Sequence, residues 1–190
     1  MIVHAPNGGP HMKLPSGKML FECSGGEEGL KECLDKVKKE KLEGYLLLNS
    51  SEGKDLVTGQ VVFQEGVPVL ADLVVGSENI SADDALERIV RYSLKPDSAL
   101  QFRKIILGPL PDIEVDKRIS EGSSIEEILK KIKREEEKRR EEERKKEETL
   151  KELSALKEKG FNLPTLEKIE GAPLQEVLEY AERVKNALKR

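Results

Sequence analysis

The apolar positions between residues 27 and 75 follow first a helical pattern and then an extended one. In the stretch EEGLKECLDKVKKEK they recur every three or four residues, which predicts a helix. These positions are Leu30, Cys33, Leu34 and Val37. Three apolar runs follow: YLLLNS, LVTGQVVFQ and VPVLADLVV. Because they are separated by turn sequences such as Glu65-Gly66, we predict consecutive antiparallel strands.

A second helix and a last strand complete this N-terminal pattern. The stretch SADDALERIVRYSL has a helical apolar face, with Ser81 at its N-cap and Asp84 three residues on, close to a capping box. The runs KMLFECS and ALQFRKIIL are predicted to be extended. We therefore predict an α+β domain over residues 13–107, with helices on one face of an antiparallel sheet.

The apolar periodicity stops between residues 133 and 148, KREEEKRREEERKKEE, which hold eight positive and eight negative charges. These residue types favour helix. Ion pairs such as Glu135–Arg139 and Glu141–Lys145 each stabilise a helix by ~0.2–0.5 kcal/mol. We predict one charged single helix over residues 124–160, which spans about 52 Å from Ile125 to Lys159. A disordered tether is the alternative. A coiled coil needs sustained apolar a and d positions, so dimer contacts are expected at the helix ends.

Apolar residues return at both ends of this helix. Residues 108–123 are predicted to be a linker, after which Ser124 and Glu127 form an S-x-x-E capping box. The first patch consists of Ile125, Ile128, Leu129 and Ile132. Residues 161–190 predict a small C-terminal helical unit, a short helix and then a longer one. The stripe on the longer helix consists of Leu174, Val177, Leu178, Ala181, Val184 and Leu188. About thirty residues bury little surface alone, so both sets are predicted to contact a partner.

Composition and charge narrow the classes of function. Charged residues make up 37% of the chain, against about 25% in typical globular proteins. The net charge of −4 gives no overall attraction to nucleic acid or membrane. Neither a membrane-length apolar run nor a signal peptide is evident, so we expect a cytoplasmic protein. Cys23 and Cys33 fit a reducing compartment, and a disulfide lacks sequence support. Residues 1–12 are expected to be a disordered leader or foreign to the natural chain.

Few residues suggest chemistry. Serine-nucleophile, Walker and dinucleotide motifs are missing from the sequence, and we expect neither a cofactor nor a metal site. Asp72 is the one acid within an apolar strand, and we expect it to face solvent at an alternating position. Asp83 starts a helix, where the dipole favours acids. His4 and His11 lie in the predicted leader, so we expect no histidine base and no enzyme.

Several short patterns in residues 42–104 carry a resemblance to known domains. They are Gly44-Tyr45-Leu46, the F-x-x-G turn at residues 63–66, and the strand VPVLADL that follows it. This region resembles the PATAN-type regulatory domain and is also similar to an archaeal family catalogued only as a domain of unknown function. The resemblance implies a non-catalytic module for protein–protein contacts, and it transfers no catalytic residue. The longer VVGSENIS connection departs from the pattern.

Three functions follow as hypotheses. The first is a homodimeric scaffold or adaptor that holds protein partners apart on a rigid helical arm. The second is a translation-associated factor that binds the ribosome or its RNA and bridges particles, with Lys185, Lys189 and Arg190 as phosphate contacts. The third is an acid-dependent enzyme, which requires Asp72 and Asp83 to converge in one pocket.

Overall fold

The computed structural model describes residues 12, 14–106, 115–163 and 166–188. The chain divides into two compact units, Met1–Lys130 and Lys131–Arg190, called here the first and second units. Residues 1–11 of the predicted leader and residues 108–114 of the predicted linker lie outside the described residues.

The first unit contains a six-stranded antiparallel sheet and two longer helices. Its strands are β1 (Gly17–Ser24), β2 (Gly44–Glu52), β3 (Asp55–Gln64), β4 (Val67–Val75), β5 (Glu78–Ser81) and β6 (Ala99–Ile105). Its two longer helices are α1 (Glu27–Lys39) and α2 (Ala82–Ser93). The strands are ordered β1-β6-β2-β3-β4-β5. This arrangement confirms the predicted α+β fold class.

The strand register places α1 and α2 on the same face of the sheet. Gly59 of β3 lies under α2, because a Cβ there would stand 2.7 Å from Cγ1 of Ile89. Gly59 pairs with Leu48, which pairs with Leu100, and Leu100 pairs with Cys23 of β1. Residues directly opposite each other in a ladder share a face. Cys23 interacts with Cys33 of α1, so this face carries both helices, as predicted.

A smaller core lies on the opposite face of the sheet. Its buried members are Met12, Tyr45, Val62 and Leu70. The Tyr45 hydroxyl donates a hydrogen bond of 3.1 Å to the backbone carbonyl of Pro15. Met12, which the sequence analysis placed in a disordered leader, is 4% exposed and belongs to this core.

The β3–β4 turn explains the F-x-x-G pattern. Glu65 and Gly66 both have positive φ, 51° and 80°, as a two-residue hairpin turn of the primed type requires. The Gly66 amide donates to the carbonyl of Leu42 just beyond α1. A Cβ on Gly66 would lie 3.0 Å from the carbonyl oxygen of Val37, so this position also needs glycine for close approach.

Two local predictions around α2 are wrong. The VVGSENIS connection contains β5, because the turn at Gly76 (φ 57°) folds the chain back to pair Ser81 with Asp72 of β4. Ser81 occupies the N-cap position of α2 but its side chain makes no capping hydrogen bond. The backbone of Ser81 pairs with β4 in the β4–β5 ladder, and the following residue, Ala82, has a φ of 58°.

Three helices make up most of the remaining described chain. The helices are α3 (Ile125–Glu158), α4 (Leu166–Ile169) and α5 (Leu174–Leu188). The boundary between the two units falls within α3, after Lys130. Gly160, with a φ of 92°, follows α3, and the amide of Phe161 donates back to the carbonyl of Leu156. The predicted single charged helix is confirmed, and a glycine of this conformation is typical just after a helix C-terminus.

Candidate interaction surface

Part of the apolar stripe predicted on the tail is buried within the second unit itself. Val177 and Ala181 of α5 are 0% and 5% exposed. The cluster around Ala181 also contains Leu153 of α3 and Leu166 of α4, and Val184 packs against it. The end of α3 therefore buries side chains that were predicted to contact a separate partner. These three α5 positions are not free to form an interface.

Other apolar side chains of the second unit remain exposed. Leu178 and Leu188 of α5 are 44% and 42% exposed, and Phe161 after α3 is 42% exposed. Leu174, at the start of α5, is half-buried. The exposed leucines are the part of the predicted stripe that can still contact another molecule, and we call Leu178 and Leu188 the α5 surface.

The predicted patch at the start of α3 is also largely covered by the chain. Ile125, Leu129 and Ile132 are 5%, 6% and 2% exposed, and Ile128 is half-buried. A hydrophobic side chain that is already buried gains little from a further contact. The α5 surface is therefore the better candidate for an interface.

The charged part of α3 is exposed on all its sides. Every residue from 133 to 145 is exposed. Ion pairs four residues apart run along it, with Glu141 to Lys145 at 2.7 Å and Arg144 to Glu148 at 2.8 Å. The first of these pairs was predicted. Such contacts support a helix that has no buried face.

Basic residues of the tail were predicted to contact phosphate in the ribosome hypothesis. Within the chain, Lys185 forms an exposed ion pair with Glu152 of α3, with 2.9 Å between Nζ and Oε2. Lys189 and Arg190 lie outside the described residues. The geometry of Lys185 thus links two helices of the second unit.

The segment before α3, predicted to be a linker, packs on the first unit from residue 115 onward. A 3₁₀ turn spans Val115–Lys117, and Arg118 forms a β-bridge with Leu70 of β4. The amide of Ile119 donates a hydrogen bond of 3.1 Å to the carbonyl of Val69. Ile119 is 5% exposed. We call residues 115–124 the junction segment.

Asp72 anchors the junction segment from inside the sheet. The prediction that it faces solvent is wrong, because Asp72 is 0% exposed. Its Oδ2 accepts a hydrogen bond of 3.1 Å from the backbone amide of Met12. Its Oδ1 lies 4.0 Å from Nζ of Lys117, which is also buried. Burial of a carboxylate requires such compensation by an opposite charge and hydrogen bonds.

Asp83 holds the same segment from α2. Its carboxylate accepts hydrogen bonds from the backbone amide and hydroxyl of Ser120 and from the hydroxyl of Ser123, the last at 2.7 Å. The hydrogen bond from the Ser120 side chain is the main cause that lowers the pKa of Asp83. Asp72 and Asp83 therefore have separate partners, and both fasten the junction segment.

The first turn of α3 is attached to α1. Nζ of Lys38 lies 3.0 Å from Oε1 of Glu126. The predicted capping box used Glu127, but the Ser124 hydroxyl donates to Oε2 of Glu126 at 2.5 Å. This hydrogen bond, the backbone amide of Glu126 and the Lys38 ammonium lower the pKa of Glu126 to about 2.

Part of the first unit matches a known protein family. Residues 12–100 match the model of a family described as an uncharacterized protein conserved in archaea (DUF2226). This region is similar to that archaeal family, whose function is uncharacterised. No curated protein and no solved structure matches the chain. Within the described residues, no helix is both long and apolar enough to cross a membrane.

Proposed function

We propose that the chain is a non-catalytic, homodimeric scaffold, in which the first unit binds a protein partner and the α5 surface contacts a second copy. The observation that carries the proposal is the pair of exposed leucines, Leu178 and Leu188, on a helix whose Val177 and Ala181 are buried. A contiguous exposed apolar patch is typical of an interaction surface, and we infer that these two leucines belong to one.

The exposed middle of α3 supports the scaffold part of the proposal. A helix that is polar on all sides acts as a solvent-exposed connection rather than as part of a core. The 34 residues of α3 give it an axial length of about 51 Å. Alternating charges stiffen such a helix through many weak pairs, so it suits a spacer better than a flexible chain does.

The two aspartates favour a structural role over a catalytic one. A catalytic carboxylate must reach a substrate, whereas Asp72 is buried beneath Lys117 and the Met12 amide. The Asp83 carboxylate is occupied by Ser120 and Ser123. Their contacts attach the junction segment firmly to the first unit, which is the property that a rigid arm needs at its base.

The resemblance of residues 42–104 to the PATAN-type regulatory domain supports a protein partner for the first unit. The hairpin that carries the F-x-x-G pattern leaves Val67 58% exposed beside Lys38 and Pro68. This hairpin is the place where we expect the partner of the first unit to bind.

The size of the α5 surface sets the expected strength of self-association. Specific and stable interfaces bury roughly 1,200–2,000 Å² in total. Two leucines and their neighbours on each copy supply a small part of such an area. We therefore expect a dimer that dissociates on dilution, with an affinity on the order of micromolar.

A pair of matched double variants tests the proposal. Leu178→Glu with Leu188→Glu adds two negative charges to the α5 surface, whereas Gln175→Glu with Asn186→Glu adds the same charges at exposed positions nearby. All four side chains are exposed, so both variants should fold. Light scattering across a dilution series should show the dimer in the parent and the control, and a monomer in the leucine variant.

Two outcomes contradict the proposal. A parent chain that remains at the monomer mass of 21.3 kDa at every concentration rules out the homodimer. Co-sedimentation with ribosomal subunits at low salt, lost as salt rises, would favour the translation-associated alternative, because counterion release makes phosphate contacts salt-dependent.

A further inference from the structure

The first unit brings the only two cysteines of the chain together. Cys23 lies on β1, an edge strand of the sheet, and Cys33 lies on the buried face of α1. Both thiols are free and buried, and the two side chains interact directly. Their separation of ten residues along the sequence gave no indication of this pairing.

We propose that Cys23 and Cys33 form a thiol–disulfide site, which a low-molecular-weight disulfide oxidises to an intramolecular disulfide linking β1 to α1. The site is independent of the proposed scaffold function. Its basis is the contact between two thiols on neighbouring elements, because disulfide exchange needs a second thiol within reach of the first.

The two cysteines differ in their environment, which assigns their roles. Cys23 is 7% exposed and Cys33 is 0% exposed, so the small disulfide reaches Cys23 first. Burial raises the pKa of both thiols. The hydrogen bond between them lowers the pKa of Cys23 and raises that of Cys33, so Cys23 is the better thiolate.

Lys36 assists the reaction at Cys23. Its ammonium lies 5.3 Å from the ring centroid of Phe21, on the same strand as Cys23, and its charge lowers the pKa of both thiols. A neighbouring cation favours the thiolate, which is the nucleophile. Lys36 also pairs with Glu32 at 2.6 Å, and this carboxylate acts in the opposite direction by raising the pKa of both thiols.

The reaction balances in two exchanges. The Cys23 thiolate attacks one sulfur of the small disulfide, which forms a mixed disulfide and releases one small thiol that takes up the Cys23 proton. Cys33 then attacks the Cys23 sulfur and displaces the second small thiol, which takes up the Cys33 proton. Two protein thiols and one small disulfide give one protein disulfide and two small thiols.

Oxidation of the reduced full-length chain by glutathione disulfide tests the site, followed by intact-mass measurement and thiol titration. The parent should lose both thiols and two hydrogen atoms without keeping an adduct. Its Tm should rise by several degrees and return on reduction. The Cys33→Ser variant should keep one glutathione on Cys23, and the Cys23→Ser variant should react far more slowly.

A matched pair of variants checks the role of Lys36. Lys36→Gln should slow oxidation several-fold, whereas Lys39→Gln, an exposed lysine on the same helix, should leave the rate unchanged. Two results would overturn the site: both thiols of the folded parent stay free while the urea-unfolded chain oxidises, or the parent accumulates the glutathione adduct as Cys33→Ser does.

Discussion

The buried pair of Asp72 and Lys117 offers the sharpest test of the junction segment. The two charges are 4.0 Å apart, and both side chains are almost completely buried. At an effective dielectric constant of about 20, unit charges at this distance attract by ~4 kcal/mol. Removal of one charge takes this opposite charge away from the other while that one stays buried, which typically costs about 3–5 kcal/mol.

Three variants distinguish the interaction between Asp72 and Lys117 from the separate contribution of each residue. Lys117→Met leaves the Asp72 carboxylate buried and should lower the free energy of unfolding by about 3 kcal/mol. Asp72→Asn keeps an acceptor for the Met12 amide but removes the negative charge beside the Lys117 ammonium. The double variant removes both charges and should be more stable than Lys117→Met alone, with a coupling of about 2 kcal/mol.

Urea unfolding followed by tyrosine fluorescence gives the required free energies. In a Tyr180→Phe background the remaining tyrosines, Tyr45 and Tyr92, both lie in the first unit, so the signal reports on that unit alone. Additive effects of the two substitutions, or a Lys117→Met variant as stable as its parent, would refute an ion pair that fastens the junction segment.

Three further outcomes follow from the contacts described above. Ser124→Ala removes the largest cause of the low pKa of Glu126 and should raise it from about 2, measured by NMR titration of the carboxyl carbon. Because the folded pKa is depressed, this contribution to stability is full above pH 4.5 and is lost as the pH falls towards 2. Leu153→Ala should lower the free energy of unfolding of the second unit by about 2–5 kcal/mol and reduce its helical circular dichroism signal. Unchanged tyrosine fluorescence in the Tyr180→Phe background would show that the first unit remains folded. Gly59→Ala should lower the free energy of unfolding, measured by thermal unfolding, by about 1–3 kcal/mol, and Ile89→Ala should restore part of that loss. An unchanged Tm in Gly59→Ala would contradict the close packing of α2 on β3.

Elements with a clear apolar period were predictable from the sequence. The stripe of α1, the three central strands and the glycine-marked turns all depend on local spacing, and the structure confirms them. The charged stretch of α3 was also predictable, because alternating acid and base blocks stabilise a helix without any tertiary contact.

Long-range contacts were not predictable in the same way. Asp72 was expected to face solvent because the strand alternates, but its partner, Lys117, lies 45 residues later in a stretch that resembled a linker. The strand β5 was missed because three of its four residues are polar and its strand structure depends on pairing with β4. An acid inside an apolar strand was a signal of a buried partner, although the sequence did not identify it.

The division of the tail stripe also depends on tertiary packing. Val177 and Leu178 are neighbours in sequence and share the same apolar character, yet one is buried and the other is 44% exposed. The helical period places six residues on a broad face. The positions of α3 and α4 determine which part of that face remains exposed.

Intermolecular NMR contacts at the α5 surface test the scaffold proposal most directly. A mixture of methyl-labelled and unlabelled full-length chains, at a concentration where light scattering shows the dimer, restricts filtered NOEs to contacts between copies. We predict intermolecular NOEs at the methyl groups of Leu178 and Leu188, and none at the buried Leu153. A dimer whose intermolecular NOEs avoid both α5 leucines would contradict the proposed interface.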